Sequence, residues 1–503
     1  MTRHWVAILA LAAASFAGGG MLARATWEPY QRDESDEARA FREAVATIAE
    51  NHVSEPADDA LYRDATRGLL ASLDDPYAEL LADEAYRRYN QRMAGTRFGL
   101  RLQLRTHQGG SVIAGASLRS FGAEAGLDPR DEILAINGVS TEGWTPADAA
   151  RALEGGKGTI VTLLVRPHGS TKTELRRVAR TEIHVSAVSP GVLLSGGTGY
   201  LSLHASTEAA PRELREAIAA LRARGMKRLV LDLRQNPGGL IPQAVAMADL
   251  FLDPGDTIAL TRGRTAEHSR VYVDRQPQAW PRMPVALLVN RNTASAAELL
   301  AGALQDHDRA RIIGTATFGK GVIQTTFPLA EEVAVKFTTS RWYAPSGRSI
   351  QRADSVRQEG THFRSASGRP LPAGEGIVPD IVIAPVRPPA ATVVDRGFGT
   401  DLPIFEAVLD AYVKELRAHG GAQVRAAIVT PAMMEELWNR LETAGNQTPR
   451  RIYDRIAPYV RETFSDMMVQ QVWGEEAALR RRLSADAQVR AAVGALAGAR
   501  VRR

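Results

Sequence analysis

Three short apolar runs constrain the fold more than anything else in the chain: KRLVLDLR at 227–234, PVALLVN at 284–290 and ARIIGT at 310–315. Each reads as a buried strand. Helical segments intervene between residues 197 and 385, so this stretch is expected to be α/β. Before it, from about 95 to 180, short strands dominate: TRFGLRLQLR alternates, SVIAGA and DEILAINGV follow, and TIVTLLVRP closes the set after a short helix at TPADAARALEG. Residues 34–92 place Phe41, Val45, Ile48 and Ala49, then Leu61, Ala65 and Leu69, at helical spacing. Pro385, Pro388 and Pro389 mark a boundary, beyond which the chain is mostly helical and Arg-rich. The expected plan is a leader at 1–25, a helical segment at 34–92, a strand-rich domain at 93–180, an α/β core at 181–385 and a helical region at 386–503.

The 503 residues suffice for several domains. A net charge of +5, from 62 basic and 57 acidic residues, is too even to argue for a nucleic-acid partner. The absence of cysteine excludes disulfides, thiolate zinc sites and a thiol nucleophile, and fits an exported protein. The N-terminus has a basic residue, Arg3, an apolar run from Trp5 to Ala17, and an A-x-A site at Ala23-Arg24-Ala25. That pattern is either a cleaved signal peptide or a retained anchor of about 20 residues. Both place the chain outside the cytoplasm, in a periplasm or cell envelope, with membrane attachment only through this segment.

Two loops carry the candidate chemistry. In NTASAAELLAG, 292–302, Ser295 opens a helix after a buried strand, and Glu298 three places on completes a capping box. A serine there is an ordinary cap, but it is also placed for acyl transfer. The next N–H, of Ala296, and the helix dipole favour an oxyanion. The G-x-S-x-G elbow is absent, since alanines flank Ser295. In LVLDLRQNPGGL, Gly238 and Gly239 follow a strand end, where open α/β sheets bind ligands, and either glycine could supply a second oxyanion donor.

The base is the remaining question. His307 lies 12 residues beyond Ser295 on the same helix, about 18 Å away at ~1.5 Å per residue. His184, His204 and His268 have no diagnostic setting. Only six lysines occur in the chain, at 157, 172, 227, 320, 336 and 414. A lysine kept among arginines is informative, because burial can neutralise lysine but not arginine. Lys320, in TFGKGVIQ, is the candidate. The run from Gly314 to Gly321 nearly spells a phosphate-binding loop. It lacks the final hydroxyl residue and precedes a strand-like segment, which argues against a nucleotide site.

FGAEAGLDPRDEILAINGVS at 121–140, with FGL at 98–100, resembles a PDZ domain. The resemblance implies that a loop of Arg97, Phe98, Gly99 and Leu100 offers N–H groups to a peptide's terminal carboxylate, with Phe98 and Leu100 lining an apolar pocket. Arg130 stands where that family usually has glycine. The stretches DLRQNPGG, NTASAAELLAGALQDHDRARIIGTATFGKGVIQ, FTTSRWYAPSGRSIQ and GIVPDI, with the DALYRDATRGLLASLDDPYAELL segment, resemble the C-terminal processing peptidases over roughly residues 36–385.

This second resemblance implies a crotonase-like α/β protease core with an inserted PDZ domain and flanking helical segments. It implies Ser295 as nucleophile, Lys320 as general base and Gln324 as the residue orienting the lysine. Gly238 and Ala296 match the oxyanion donors, with Gly239 open as an alternative. No metal or cofactor is required. The implied function is an exported serine endopeptidase that takes proteins by their C-terminal tails. An activating adaptor and a homodimer or larger assembly are further expectations, and the last hundred residues are expected to serve assembly or docking alone. The rival from another class is a noncatalytic PDZ adaptor; a histidine-based esterase lacks a placed histidine.

Overall fold

The computed structural model describes residues 35–54, 57–100, 102–106, 112–115, 127, 131–352, 362–384, 390–419 and 426–498. The leader at 1–25, Arg130 and the boundary prolines at 385, 388 and 389 lie outside the described residues. Among the described residues, no helix is long and apolar enough to cross a membrane. Two compact units are present among the described residues: those up to Leu80 with Val335–Phe337, and the others.

The first unit holds helices α1 (Asp36–Asn51) and α2 (Asp58–Ala71). Ser35 caps α1, accepting the Ala38 N–H at 3.2 Å, and Asp36 and Glu37 sit where the helix dipole favours negative charge. Phe41, Ile48 and Leu69 of these helices stay exposed. Lys336 and Glu79 form an ion pair.

Strand β1 (Glu79–Ala82) and helix α3 (Asp83–Ala94) lead to the small domain. Gly95 ends α3 in the left-handed conformation, φ +72°, a position glycine occupies without strain. The chain enters through β2 (Thr96–Gly99). It then forms β3 (Gln103–Thr106), β4 (Val112–Gly115), β5 (Glu132–Ile136), β6 (Val139–Ser140), helix α4 (Pro146–Leu153), β7 (Ile160–Arg166) and β8 (Glu174–Ala179). The sheet is antiparallel in the order β3-β4-β5-β7-β8, with β6 on β5. Alternation along β7 buries Val161, Leu163 and Val165 against Leu153 and Ala149 of α4. A complete capping box between Thr145 and Asp148 starts α4. The chain leaves by β9 (Thr181–His184), which pairs antiparallel with β2.

The larger domain begins with β10 (Val192–Leu194), β11 (Thr198–Ser202), helix α5 (Ala210–Ala223), β12 (Arg228–Asp232) and helix α6 (Ile241–Ala248). Next come β13 (Thr257–Gly263), β14 (Arg270–Val273), β15 (Val285–Val289), helix α7 (Ala296–Asp306) and β16 (Ala310–Gly314). The long strands β17 (Val322–Ala330) and β18 (Val333–Tyr343) follow, then the short β19 (Phe363–Arg364), β20 (Pro370–Leu371) and β21 (Ile381–Val382). Six strands make one sheet in the order β10-β11-β12-β15-β16-β21. All neighbours are parallel except β10 on β11. The three apolar runs of the sequence are its adjacent central strands β12, β15 and β16.

Why those runs are continuous follows from what covers them. Leu229, Leu231, Val285, Leu287, Val289 and Ile312 face the core shared with α5, α6 and α7. Their neighbours Val230, Ala286, Leu288 and Ile313 face the opposite way. A strand buried on both faces cannot alternate apolar with polar.

The second face corrects one expectation. Beyond helices α8 (Ala390–Phe398), α9 (Leu402–His419), α10 (Pro431–Thr443) and α11 (Arg450–Trp473), the chain forms α12 (Glu475–Ala485) and α13 (Ala487–Ala497). Leu483, Val489, Ala492 and Leu496 of these last two pack on Val230, Leu288 and Ile313. Residues 475–497 therefore complete the α/β core rather than serving only assembly or docking. At about 1.5–3 kcal/mol per fully buried aliphatic side chain, this cover is part of what keeps the sheet folded. Helices α8 to α11 have a core of their own, in which Phe398 stacks on Phe405 at 4.3 Å.

Candidate active site

The carboxyl ends of β12 and β15 project two loops, 233–240 and 290–295, which are bonded to each other. Thr293, fully buried, donates its hydroxyl to the Leu233 carbonyl at 2.8 Å. The Ala294 N–H donates to the Asn236 carbonyl at 2.9 Å. A Cβ on Gly238, φ +97°, would lie 2.7 Å from the Ala294 oxygen and 3.0 Å from the Ser295 Cβ. Only glycine permits that approach.

Ser295 itself has φ 54° and ψ −119°, a conformation that L-residues rarely adopt. Strain of this kind concentrates at functional sites and persists only where the surroundings enforce it. Here a serine occupies a sharp, strained turn between strand and helix without the glycine-flanked signature. The two glycine places of that signature are held here by Thr293 and Ala297. Helix α7, which begins after it, is buried along its whole length.

Glu298 does more than cap. It is fully buried, and both of its oxygens accept twice. Oε1 takes the Thr317 hydroxyl at 2.5 Å and the Gly319 N–H at 2.6 Å. Oε2 takes the Ser295 N–H at 2.8 Å and the Lys320 N–H at 2.9 Å. The Glu298 N–H goes to the Ser295 carbonyl at 2.9 Å, and no hydrogen bond of the serine side chain caps the helix. Burial holds the Glu298 carboxyl above the usual glutamate range, and its hydrogen bonds offset only part of that rise. Four donors aimed at one carboxylate match its ionised form.

One oxygen therefore joins residues 25 apart in sequence. Sharing it puts the main-chain nitrogens of Ser295 and Lys320 within about 6 Å of each other. Lys320 and Ser295 are both half-buried. Gln324, on β17, donates from Nε2 to the Thr338 Oγ1 at 3.0 Å. His307 caps the far end of α7, its Nε2 at 2.7 Å from the Thr257 carbonyl. His184 pairs with Glu213, and His268 with Thr265.

The proposed anion donors differ in state. The Gly238 N–H donates to the Asn236 Oδ1 at 2.9 Å, so it is occupied. The N–H groups of Ala296 and Gly239 have no acceptor among the described residues. The strand end behind them is tied to the C-terminal helices: Arg234 bonds Asp232 at 2.6 Å, and Asp486 and Gln488 at 2.7 Å each.

In the small domain a pocket opens between β3 and α4. Gly99, Leu100, Leu102, Leu104 and Leu153 line it, and Arg97 pairs with Glu154 at 3.2 Å at its edge. The expected loop of Arg97 to Leu100 is corrected in one respect. Thr96–Gly99 is the strand β2, whose main chain pairs antiparallel with β9 in a two-stranded ribbon. Leu100 is buried in the domain core, and Phe98 is not on the pocket wall; its carbonyl accepts the Gly155 N–H at 3.1 Å.

Sequence reasoning saw Glu298 only as a cap. Its link to the lysine spans 22 residues and left no local signal. Trp342 and Gln351 carry no local signal of their own within FTTSRWYAPSGRSIQ, yet both bond the lysine loop.

Residues 197–383 match the model of peptidase family S41, and residues 112–167 that of a PDZ domain. A probable CtpA-like serine protease of Staphylococcus saprophyticus is 30% identical over 319 residues, covering 63% of this chain and 64% of that protein. A probable CtpA-like serine protease of Staphylococcus epidermidis is 31% identical over 305 residues, covering 60% and 61%. The chain thus spans less than two thirds of these relatives' length. A solved photosystem II D1 C-terminal processing protease is 26% identical, with 69% of this chain and 93% of that one covered, at a TM-score of 0.38.

Proposed function

We propose that this chain, a member of peptidase family S41 with a PDZ domain, is a serine endopeptidase that acts outside the cytoplasm and takes its protein substrates by their C-terminal tails. The observation that carries the reading is the single Glu298 oxygen accepting the N–H groups of both Ser295 and Lys320. A nucleophile and a base with no fixed relation could not share a proton; these two have their backbones clamped together.

In this reading Lys320 is neutral when it acts. Only that form has a lone pair to take the serine proton, and burial favours it over the ammonium. The Ser295 Oγ attacks the peptide carbonyl while its proton passes to the Lys320 Nζ. Negative charge grows on the carbonyl oxygen, facing the Ala296 N–H at the start of α7. Gly239, or Gly238 once released from Asn236, supplies the second donor. Collapse breaks the C–N bond, and the leaving amine takes the proton from Lys320. Water then gives a proton to Lys320 and attacks the acyl-serine; collapse breaks the carbonyl C–Oγ bond, frees the acid and returns the proton from Lys320 to the Ser295 Oγ. Gln324 orients the lysine. The pocket beside β3 and α4 receives the tail's last side chain as the peptide adds to the β3 edge. The same chemistry is consistent with a homodimer or larger assembly and with an activating adaptor.

The test is cleavage of an unstructured protein by Ser295→Ala, Lys320→Ala and Lys320→Arg variants. All three are expected to be inactive. An active Lys320→Arg enzyme would rule out a neutral lysine base, since arginine stays charged.

A further inference from the structure

The residue proposed as base sits between two glycines, in Gly319-Lys320-Gly321. Glycines lose the most conformational freedom on folding, so this tripeptide needs outside restraint to hold a side chain in place. The restraint is complete. The N–H groups of Gly319 and Lys320 go to Glu298. The Gly319 carbonyl accepts the Arg352 N–H at 2.9 Å. The Lys320 carbonyl accepts the Trp342 indole Nε1–H at 3.0 Å, and the Gly321 carbonyl accepts the Trp342 main-chain N–H at 2.9 Å. The Gly321 N–H donates to the Gln351 Oε1 at 2.7 Å. Every polar main-chain group of the tripeptide is therefore bonded.

Close packing enforces the same placement. A Cβ on Gly319 would lie 2.7 Å from the Arg352 Cβ, and one on Gly321 would lie 2.9 Å from the Gln351 Cβ. The loop lies flat on the 350–352 segment. Trp342 is wholly buried, so its indole is itself fixed.

We infer that Trp342 and Gln351 are positioning residues for Lys320, setting both where its amine sits and how far it is kept from water. The inference rests on the Ser295/Lys320 reading of the site. Both peptide planes beside Lys320 are pinned, so the point from which its side chain leaves the backbone is fixed. Trp342 and Gln351 hold the same plane, between Lys320 and Gly321; loosening it lets the amine drift and hydrate, which favours its charged form. A displacement of about 1 Å is enough to slow catalysis strongly.

Trp342→Phe keeps an aromatic ring but deletes the indole N–H together with part of the buried ring volume. Gln351→Leu deletes the acceptor for Gly321 at a half-buried position. Both are measured for kcat, KM and the pH dependence of kcat on a peptide substrate, and for thermal midpoint, beside Ser295→Ala and Lys320→Ala. Expected for each is a fall in kcat of about tenfold or more, KM within about twofold of wild type, and an acid limb of the kcat profile moved to higher pH. Wild-type kcat and pH profile in Gln351→Leu would overturn the inference. So would a lowered thermal midpoint with an unmoved acid limb, which would mark the clamp as structural only. If Trp342→Phe fails to fold, Gln351→Leu decides the matter alone. Retained activity in Ser295→Ala or Lys320→Ala would instead sink the dyad reading, and the inference with it.

Discussion

Replacing Glu298 with glutamine tests the site's wiring at its hub. The amide keeps the shape of the carboxylate but turns one acceptor oxygen into a donor. Two orientations are open to it. With the amide nitrogen in the Oε2 place, it would face the N–H groups of both Ser295 and Lys320, two donors unable to turn away. With the nitrogen in the Oε1 place, it faces the Thr317 hydroxyl and the Gly319 N–H. The hydroxyl can rotate and accept; the Gly319 N–H cannot. The second orientation is therefore chosen, and one buried donor is left unsatisfied. That costs about 1–3 kcal/mol, while the Ser295 and Lys320 bonds survive on the remaining oxygen.

Glu298→Ala strands all four donors. At the same cost each, roughly 4–12 kcal/mol is at stake, comparable with the whole stability of an ordinary domain. The expected order is clear: Glu298→Gln folds with a lowered thermal midpoint and reduced but measurable turnover, and Glu298→Ala is not recovered as folded protein. Scanning calorimetry and cleavage of an unstructured protein, measured together, provide the check. Wild-type stability and turnover in Glu298→Gln would refute the reasoning, because no orientation of the amide satisfies all four donors.

Gly238→Ala is expected to lose more than about a hundredfold in kcat, since its φ of +97° and the 2.7 Å approach to the Ala294 oxygen force the loop off the Ser295 turn; kinetics of the purified variant decide. Asp274, buried beside Asp249 and Asp256, has its carboxyl pushed up to about 7, first by burial and then by Asp249. A raised folded-state pKa stabilises fully below the unfolded value, near 3.9, and that contribution is lost as pH rises through about 7. Urea unfolding should therefore show greater stability at pH 5 than at pH 8, by at most roughly 2.6 kcal/mol, and Asp274→Asn should flatten the difference. Ending the chain at Gly474 uncovers Val230, Leu288 and Ile313, so the shortened protein is expected to aggregate or bind a hydrophobic dye, as gel filtration and fluorescence will report.

Local pattern carried much of this protein. The continuous apolar runs of β12, β15 and β16 announce strands buried on both faces, because no alternation survives when both faces meet a core. The short strands of the small domain, its helix at 146–153 and the helix after Ser295 were legible for the same reason: periodicity and capping act over a few residues. The rarity of lysine drew attention to Lys320, because only a group that can lose its charge can serve as base.

What tertiary structure decided is long-range. Glu298 reads as a cap in sequence, and its bond to Lys320 appears only when the loop after β16 folds back on the start of α7. The strained φ of Ser295 has no glycine-flanked motif to announce it, since contacts across the two loops impose it. The PDZ resemblance made Arg97 to Leu100 a loop, yet Thr96–Gly99 pairs with β9, more than eighty residues on. The last two helices looked like an appendage, yet they supply the second cover of the sheet. Hydrogen bonds and burial between distant segments leave no periodic trace, so the chain's local grammar names the parts while only their packing determines which atoms meet.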